Sequence, residues 1–221
     1  PASMPDRRPI LYDYWRSSAA YRVRLALALK DIAYDRVPVD LVAGEQRAPE
    51  HLARNPQGVV PALAIDGLML TQSLAMLDYL DETQAAVPLL PRDAAGRARV
   101  RAIALAIACD IHPLSNLSVL ERIEAISSPE ARAAWNRENI SRGLAAVEKL
   151  LDHPATGRFC HGDAPGYADC VLVPQLYNAR RWEVRFDHLP RIAAVSQACA
   201  TLGVIASAHP DNFKPASAKT A

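Results

Sequence analysis

Arg16-Ser17-Ser18-Ala19-Ala20-Tyr21-Arg22-Val23-Arg24 sets a pair of hydroxyls between two different hydrophobic periods. Before it, Ile10-Leu11-Tyr12 reads as a strand; after it, Tyr21, Leu25, Leu29 and Ile32 recur at helical spacing. The change of period places a helix start at the serines and predicts a helix running to about Lys30. A helix start holds N–H donors outside its own ladder at the positive end of the dipole. A serine hydroxyl there can steady an anion, a thiolate among the candidates, and the same hydroxyl also suits a plain helix cap.

Working outward, Val37, Val39 and Leu41 alternate as a half-buried strand does. Ala62 to Ile65 and Leu68 to Leu70 flank Asp66-Gly67, a turn pair that predicts an antiparallel hairpin because glycine accepts positive φ. Leu74, Leu77 and Leu80 then resume helical spacing, which makes the first 87 or so residues a compact α/β unit. Pro88-Leu89-Leu90-Pro91 interrupts the pattern and reads as a linker. Beyond it the stripes Val100, Ile103, Ile107, Ile111 and Ile140, Leu144, Val147, Leu151 predict helices. Ala168 to Leu176 is apolar on more than one side, as a central helix would be, and Ile192 to Leu202 suggests a later one. The expected organisation is an α/β domain over 8–87 and an all-helical domain over 92–212, with Pro1 to Pro9 and the stretch after Pro210 poorly ordered.

The 221 residues are half hydrophobic and carry a formal net charge of +1, which lacks the footprint of a dedicated nucleic-acid binder. No run is long enough to span a bilayer and the start shows no secretory pattern, so a cytoplasmic protein with no membrane partner is expected. Cys109, Cys160, Cys170 and Cys199 are scattered without a C-x-x-C pair. They read as buried small hydrophobes, supporting neither a disulfide framework nor a metal site.

Ordered motifs narrow the reading further. Arg16-Ser17-Ser18 with Tyr21 to Leu27, Asn55-Pro56-Gln57-Gly58-Val59-Val60-Pro61, Gln72-Ser73-Leu74-Ala75, Asn116 to Leu120 and Ala168 to Gln175 follow one another along the chain. In that order and spacing the sequence resembles the zeta-class glutathione transferases, the class that includes maleylacetoacetate isomerase, from about Pro9 to Pro210. The resemblance implies a thioredoxin-like N-terminal domain, an all-α C-terminal domain, glutathione as cofactor and a homodimer. It implies cis–trans isomerisation of maleylacetoacetate to fumarylacetoacetate in aromatic amino-acid catabolism, by thiolate addition, bond rotation and elimination. Maleylpyruvate isomerisation, general glutathione transfer and a noncatalytic glutathione- or partner-binding module are the alternatives.

The resemblance also assigns residues. Ser17 matches the hydroxyl that stabilises the glutathione thiolate, with Ser18 and Arg16 as its catalytic neighbours. Val60, before a proline at Pro61 that the family holds cis, would pair through its main chain with the cysteinyl part of glutathione. Gln72 and Ser73 would receive the γ-glutamyl carboxylate, and Gln46, in a loop shorter than the family's, is a further cofactor contact. Arg16, His112, Asn116 and Arg181 are the candidates for the substrate and its carboxylates, since an arginine fork suits that group. Ala19 stands where some family members have cysteine, which removes any protein nucleophile from the motif. Arg22 and Arg24, inside the first motif, read as surface or interdomain ion pairs or as ligand contacts, and Asp169 as a helix-capping residue left without a hydroxyl partner at Gly166.

Overall fold

A computed structural model describes residues 8–216. Two units divide them: residues 8–88 together with 203–216, and residues 89–202.

The first unit is built on four strands, β1 (Ile10–Asp13), β2 (Asp35–Pro38), β3 (Ala62–Ile65) and β4 (Leu68–Thr71), in the order β2-β1-β3-β4. β1 pairs parallel with β2 and antiparallel with β3, and β3 pairs antiparallel with β4. Asp66 and Gly67 take φ of 52° and 78°, the two left-handed positions that let the β3–β4 hairpin follow the strand twist. The strand expected to alternate through Val37, Val39 and Leu41 ends earlier, at Pro38. Beyond it Asp40 Oδ1 accepts from the Val42 and Ala43 N–H groups and turns the chain away.

Helix α1 (Ser18–Leu29) follows β1, α2 (Pro49–Leu52) lies in the loop before β3, and α3 (Ser73–Thr83) follows β4. The helical stripe expected on α1 is broader than a stripe. Ala20 to Leu27 are all buried, because α3 covers one side of the helix and the late helix α9 (Gly203–Ser207) another. Arg22 and Arg24 are therefore 3% and 0% exposed, which corrects their reading as surface or interdomain pairs. Arg24 donates to Asp13 Oδ2 at 2.7 Å, to the Trp15 carbonyl at 2.9 Å and to the Ala208 carbonyl at 3.3 Å. Arg36 donates to the other Asp13 oxygen at 3.0 Å, and Phe213 lies beneath both guanidinium groups. Lys30 closes the far end of α1 on the Gln84 and Val87 carbonyls.

These contacts correct the C-terminal boundary as well. The sequence reading extends the helical domain to residue 212, yet α9, Phe213 and Lys214 pack on the first unit. Nor is the chain after Pro210 wholly irregular: Pro210–Phe213 forms a 3-10 turn. Of the N-terminal stretch expected to be poorly ordered, residues 1–7 lie outside the described residues.

The second unit is helical: α4 (Ala94–Leu105), α5 (Leu117–Ile126), α6 (Pro129–Leu150), α7 (Tyr167–Arg181) and α8 (Pro190–Ala200). Both apolar stripes read from the sequence point inward, with Val100, Ile103, Ile107 and Ile111 each at most 2% exposed and Ile140, Leu144, Val147 and Leu151 at 0%. α4 passes into a π-helical turn over Ala106–Ile111, an insertion that hydrophobic spacing does not reveal. α6 packs against that turn. A Cβ on Gly143 would stand 2.3 Å from Ile111 Cγ1 and 2.4 Å from its Cδ1, and Ile111 is 2% exposed. Gly143→Ala should therefore destabilise the protein by about 1–3 kcal/mol, overriding the helix propensity it adds. Chemical denaturation reads this as a lower midpoint at unchanged slope, and a rise in midpoint would show that Ile111 moves aside.

Asp169 is a folding residue: Oδ2 accepts from Gly166 N–H at 2.9 Å and Oδ1 from Cys160 N–H at 3.0 Å. Gly166 stands where a capping hydroxyl would help because a Cβ there would meet the Leu89 carbonyl oxygen at 2.7 Å. Cys160, Cys170 and Cys199 are buried, as expected, but Cys109 is exposed. Burial pushes the Cys160 and Cys199 thiols up from their ordinary range, with Asp169 adding to the shift, so neither is a source of thiolate.

Among the described residues no single helix is long and apolar enough to cross a membrane, and no group of three His, Cys, Asp or Glu side chains could hold a metal ion.

Candidate active site

The register of the sheet collects the cofactor candidates of the first unit at one end. Tyr12, Ala62 and Thr71 form one row across β1, β3 and β4. The residues just beyond that row lead to the start of α1 through Trp15 and Arg16, back to Val60-Pro61, and on to Gln72-Ser73 at the start of α3. Two helix starts and a proline loop thus open at the same edge of the sheet. Helices of 12 and 11 residues both present their positive ends there.

Ser17 is the N-cap of α1, and its Oγ accepts from Ala20 N–H at 3.2 Å. Capping and anion binding are compatible here: the oxygen serves as acceptor to the helix, and the hydroxyl hydrogen remains to be donated outward. Ser18 is the first helical residue and is buried. Ser17 thus stands at the cap and Ser18 one position inside the helix. Ala19 follows within the helix, so α1 supplies no thiol of its own at this end.

The Val60-Pro61 peptide is cis. Val60 is buried, while the Val59 carbonyl before it accepts from Asn55 Nδ2 at 2.8 Å and lies 2.9 Å from His51 Nε2. Gln57 N–H donates to Asn55 Oδ1, so the loop is braced from both sides of one amide. Gly58 takes φ of 62° and packs its α-carbon side near the Gln46 carbonyl, bringing the short 3-10 turn of Gln46 onto the same loop. Gln46 is 6% exposed and its Oε1 is buried with no hydrogen-bond partner. A buried acceptor without a donor costs stability, and an incoming peptide N–H would satisfy it.

Gln72 has φ of 67°, a left-handed conformation that a non-glycine residue adopts at a cost of about 1–3 kcal/mol and that concentrates at functional sites. Its side chain donates to Gln57 Oε1 at 2.7 Å, which ties the start of α3 to the proline loop. Gln72, not Ser73, occupies the cap position, and it makes no side-chain cap bond. Ser73 is instead buried in the first turn, where its Oγ accepts from Arg22 Nη1 at 3.1 Å. Arg22 brings positive charge from α1 to the start of α3. That arrangement suits a carboxylate.

Arg16 is half-buried with its guanidinium 5.3 Å from the Trp15 ring centroid, and Lys214 Nζ lies 5.7 Å from the same ring. In the second unit, His112 and Asn116 bracket one 3-10 turn, His112 half-buried and Asn116 exposed at the cap of α5. Arg181 is the exposed last residue of α7, its guanidinium 6.0 Å from the Tyr177 ring centroid. Its neighbour Arg180 donates to Ser196 Oγ and lies over Phe186. The structure thus brings Arg16, Ser17, Ser18, Gln46, Val60, Pro61, Gln72 and Ser73 into one unit and places His112, Asn116 and Arg181 in the other. Missed by sequence reading are His51, Asn55 and Gln57. Asn55 and Gln57 lay inside a quoted motif, but nothing in it showed that their side chains brace its own backbone.

Comparison with known proteins agrees with this geometry. Residues 9–82 match the glutathione S-transferase N-terminal domain and residues 129–198 the glutathione S-transferase C-terminal domain, and the chain belongs to the glutathione S-transferase family. It is 56% identical to the maleylacetoacetate isomerase of Rhizobium meliloti over 93% of this chain and 98% of that one. Its fold matches a maleyl pyruvate isomerase, described as a bacterial zeta-class glutathione S-transferase in holo form, with a TM-score of 0.90 at 42% identity, covering 95% of this chain and 100% of that one. It also matches the maleylacetoacetate isomerase of Anaeromyxobacter dehalogenans with glutathione bound in its active site, with a TM-score of 0.85 at 46% identity over 95% and 98% of the two chains. The zeta-class resemblance carried by the motifs therefore extends over nearly the whole chain.

Proposed function

We propose that the protein is a glutathione-dependent maleylacetoacetate isomerase. The observation that carries this reading is the convergence at one sheet edge of the Ser17 hydroxyl at the start of α1, a cis Val60-Pro61 loop and the Arg22-backed Ser73, in a chain 56% identical to a maleylacetoacetate isomerase. The residues present fit glutathione: Gln46 Oε1 lacks a donor, and the start of α3 suits a carboxylate. When bound, glutathione supplies a thiolate whose reversible addition to the cis double bond permits rotation and elimination as the trans isomer.

The chain's own residues do the rest. Ser17 donates its hydroxyl hydrogen toward the thiol sulfur and, with the positive end of α1, favours the ionised form. Val60 offers main-chain groups to the cysteinyl part, and Gln72 and Ser73 hold the γ-glutamyl carboxylate. Arg16 is the first unit's group for a carboxylate of the diacid and for the enolate charge that develops on it. The same reading makes the protein a cytoplasmic homodimer, supported by four free cysteines and by its family; light scattering on a sizing column should give twice the chain mass.

Steady-state assays on maleylacetoacetate and maleylpyruvate test the assignment. A higher kcat/KM for maleylacetoacetate supports it, a clear preference for maleylpyruvate transfers it to that diacid, and turnover of neither refutes it.

A further inference from the structure

His51 is 2% exposed on α2, with Nε2 2.9 Å from the Val59 carbonyl oxygen, and Asn55 Nδ2 donates to that same oxygen at 2.8 Å. A carbonyl only accepts, so the imidazole proton sits on Nε2 and both lone pairs of the oxygen are used. The other ring nitrogen, Nδ1, is buried and makes no hydrogen bond. A buried polar atom left unsatisfied is costly, and an apolar ring would fill this volume without that cost. Packing alone therefore does not account for a histidine; its Nε2–H donor does.

The clamped group explains why that donor is needed. Val59 is 45% exposed and follows Gly58 at φ of 62°, so side-chain burial does little to fix its peptide plane. The peptide joining Val59 to Val60 is trans and planar, so the Val60 N–H points opposite to the Val59 carbonyl. Anchoring the oxygen on the α2 side sets the direction of the N–H on the other side.

We propose that His51 is a positioning residue for glutathione: with Asn55 it clamps the Val59 carbonyl and so aims the Val60 N–H at the cysteinyl backbone of the cofactor. The inference rests on the reading of this loop as the glutathione contact.

The test compares the full-length wild type with His51→Phe, which keeps a flat ring and removes the donor, and with His51→Gln, which restores an N–H. Calorimetric titration with glutathione should show binding by the wild type, about three- to tenfold weaker binding by His51→Phe, and recovery of part of the loss in His51→Gln. In turnover the KM for glutathione should rise by a similar factor with kcat within twofold. Should His51→Phe not fold, His51→Met fills the space without a donor and takes its place. Unchanged affinity in the donor-less variant, or a fall in kcat at unchanged KM, overturns the role of His51. Failure of the wild type to bind glutathione overturns the underlying reading, and with it this one.

Discussion

Ser17→Ala is expected to lower kcat with glutathione by about 100- to 1000-fold, the loss typical of removing one donor that meets a charge at the reacting centre. Ser17 Oγ already accepts from Ala20 N–H, so the substitution also removes a helix cap, at about 1 kcal/mol. That structural loss leaves the protein folded and predicts no change in the pH dependence of the rate. Loss of the donor does: the acidic limb of the pH–rate profile should move upward, toward the value of about 8.5 for a free thiol, because more of the bound cofactor is then protonated at neutral pH. Stopped assays across a pH series measure both effects together. A variant that keeps its kcat and its acidic limb would return Ser17 to a cap alone. Ser18→Ala, at a buried first-turn position, should have the smaller effect on that limb.

The second large effect is on stability. Asp13 is fully buried and accepts from Arg24 at 2.7 Å and from Arg36 at 3.0 Å, while Arg24 is itself fully buried. Asp13→Ala would leave the Arg24 guanidinium inside the first unit without its carboxylate, at a cost of about 3–5 kcal/mol. Much of the stability of an ordinary domain is of that size, so the variant should unfold at markedly lower denaturant or not accumulate folded at all. Asp13→Ala with Arg24→Met removes both charges and should recover a large part of the loss. If the single variant unfolds within about 0.5 kcal/mol of wild type, the network contributes little and the α1–α9 packing stands on apolar contacts.

Sequence and structure part company where the decisive interaction is long-range. The hairpin at Asp66-Gly67, the start of α1 at Ser17 and the inward stripes of α4 and α6 were legible because each follows from local turn chemistry or a fixed period. Arg24 was not, because a charged residue inside an apolar helix reads as exposed until its partner on β1 and the carbonyls of Trp15 and Ala208 are known. The end of the helical unit failed for the same reason: nothing local in Gly203–Phe213 says that it packs on the first unit. At the site, the serines, the proline and Gln72-Ser73 stood out as motifs. His51 did not, since its work is to hold a backbone carbonyl in place.

The central claim is that this chain turns over an unsaturated diacid only through bound glutathione. Isomerisation of maleylacetoacetate by the purified protein, with glutathione present and with it removed, tests that directly. Rapid turnover with the cofactor and none without it is the result expected; turnover that persists without glutathione, or none in its presence, would contradict the account.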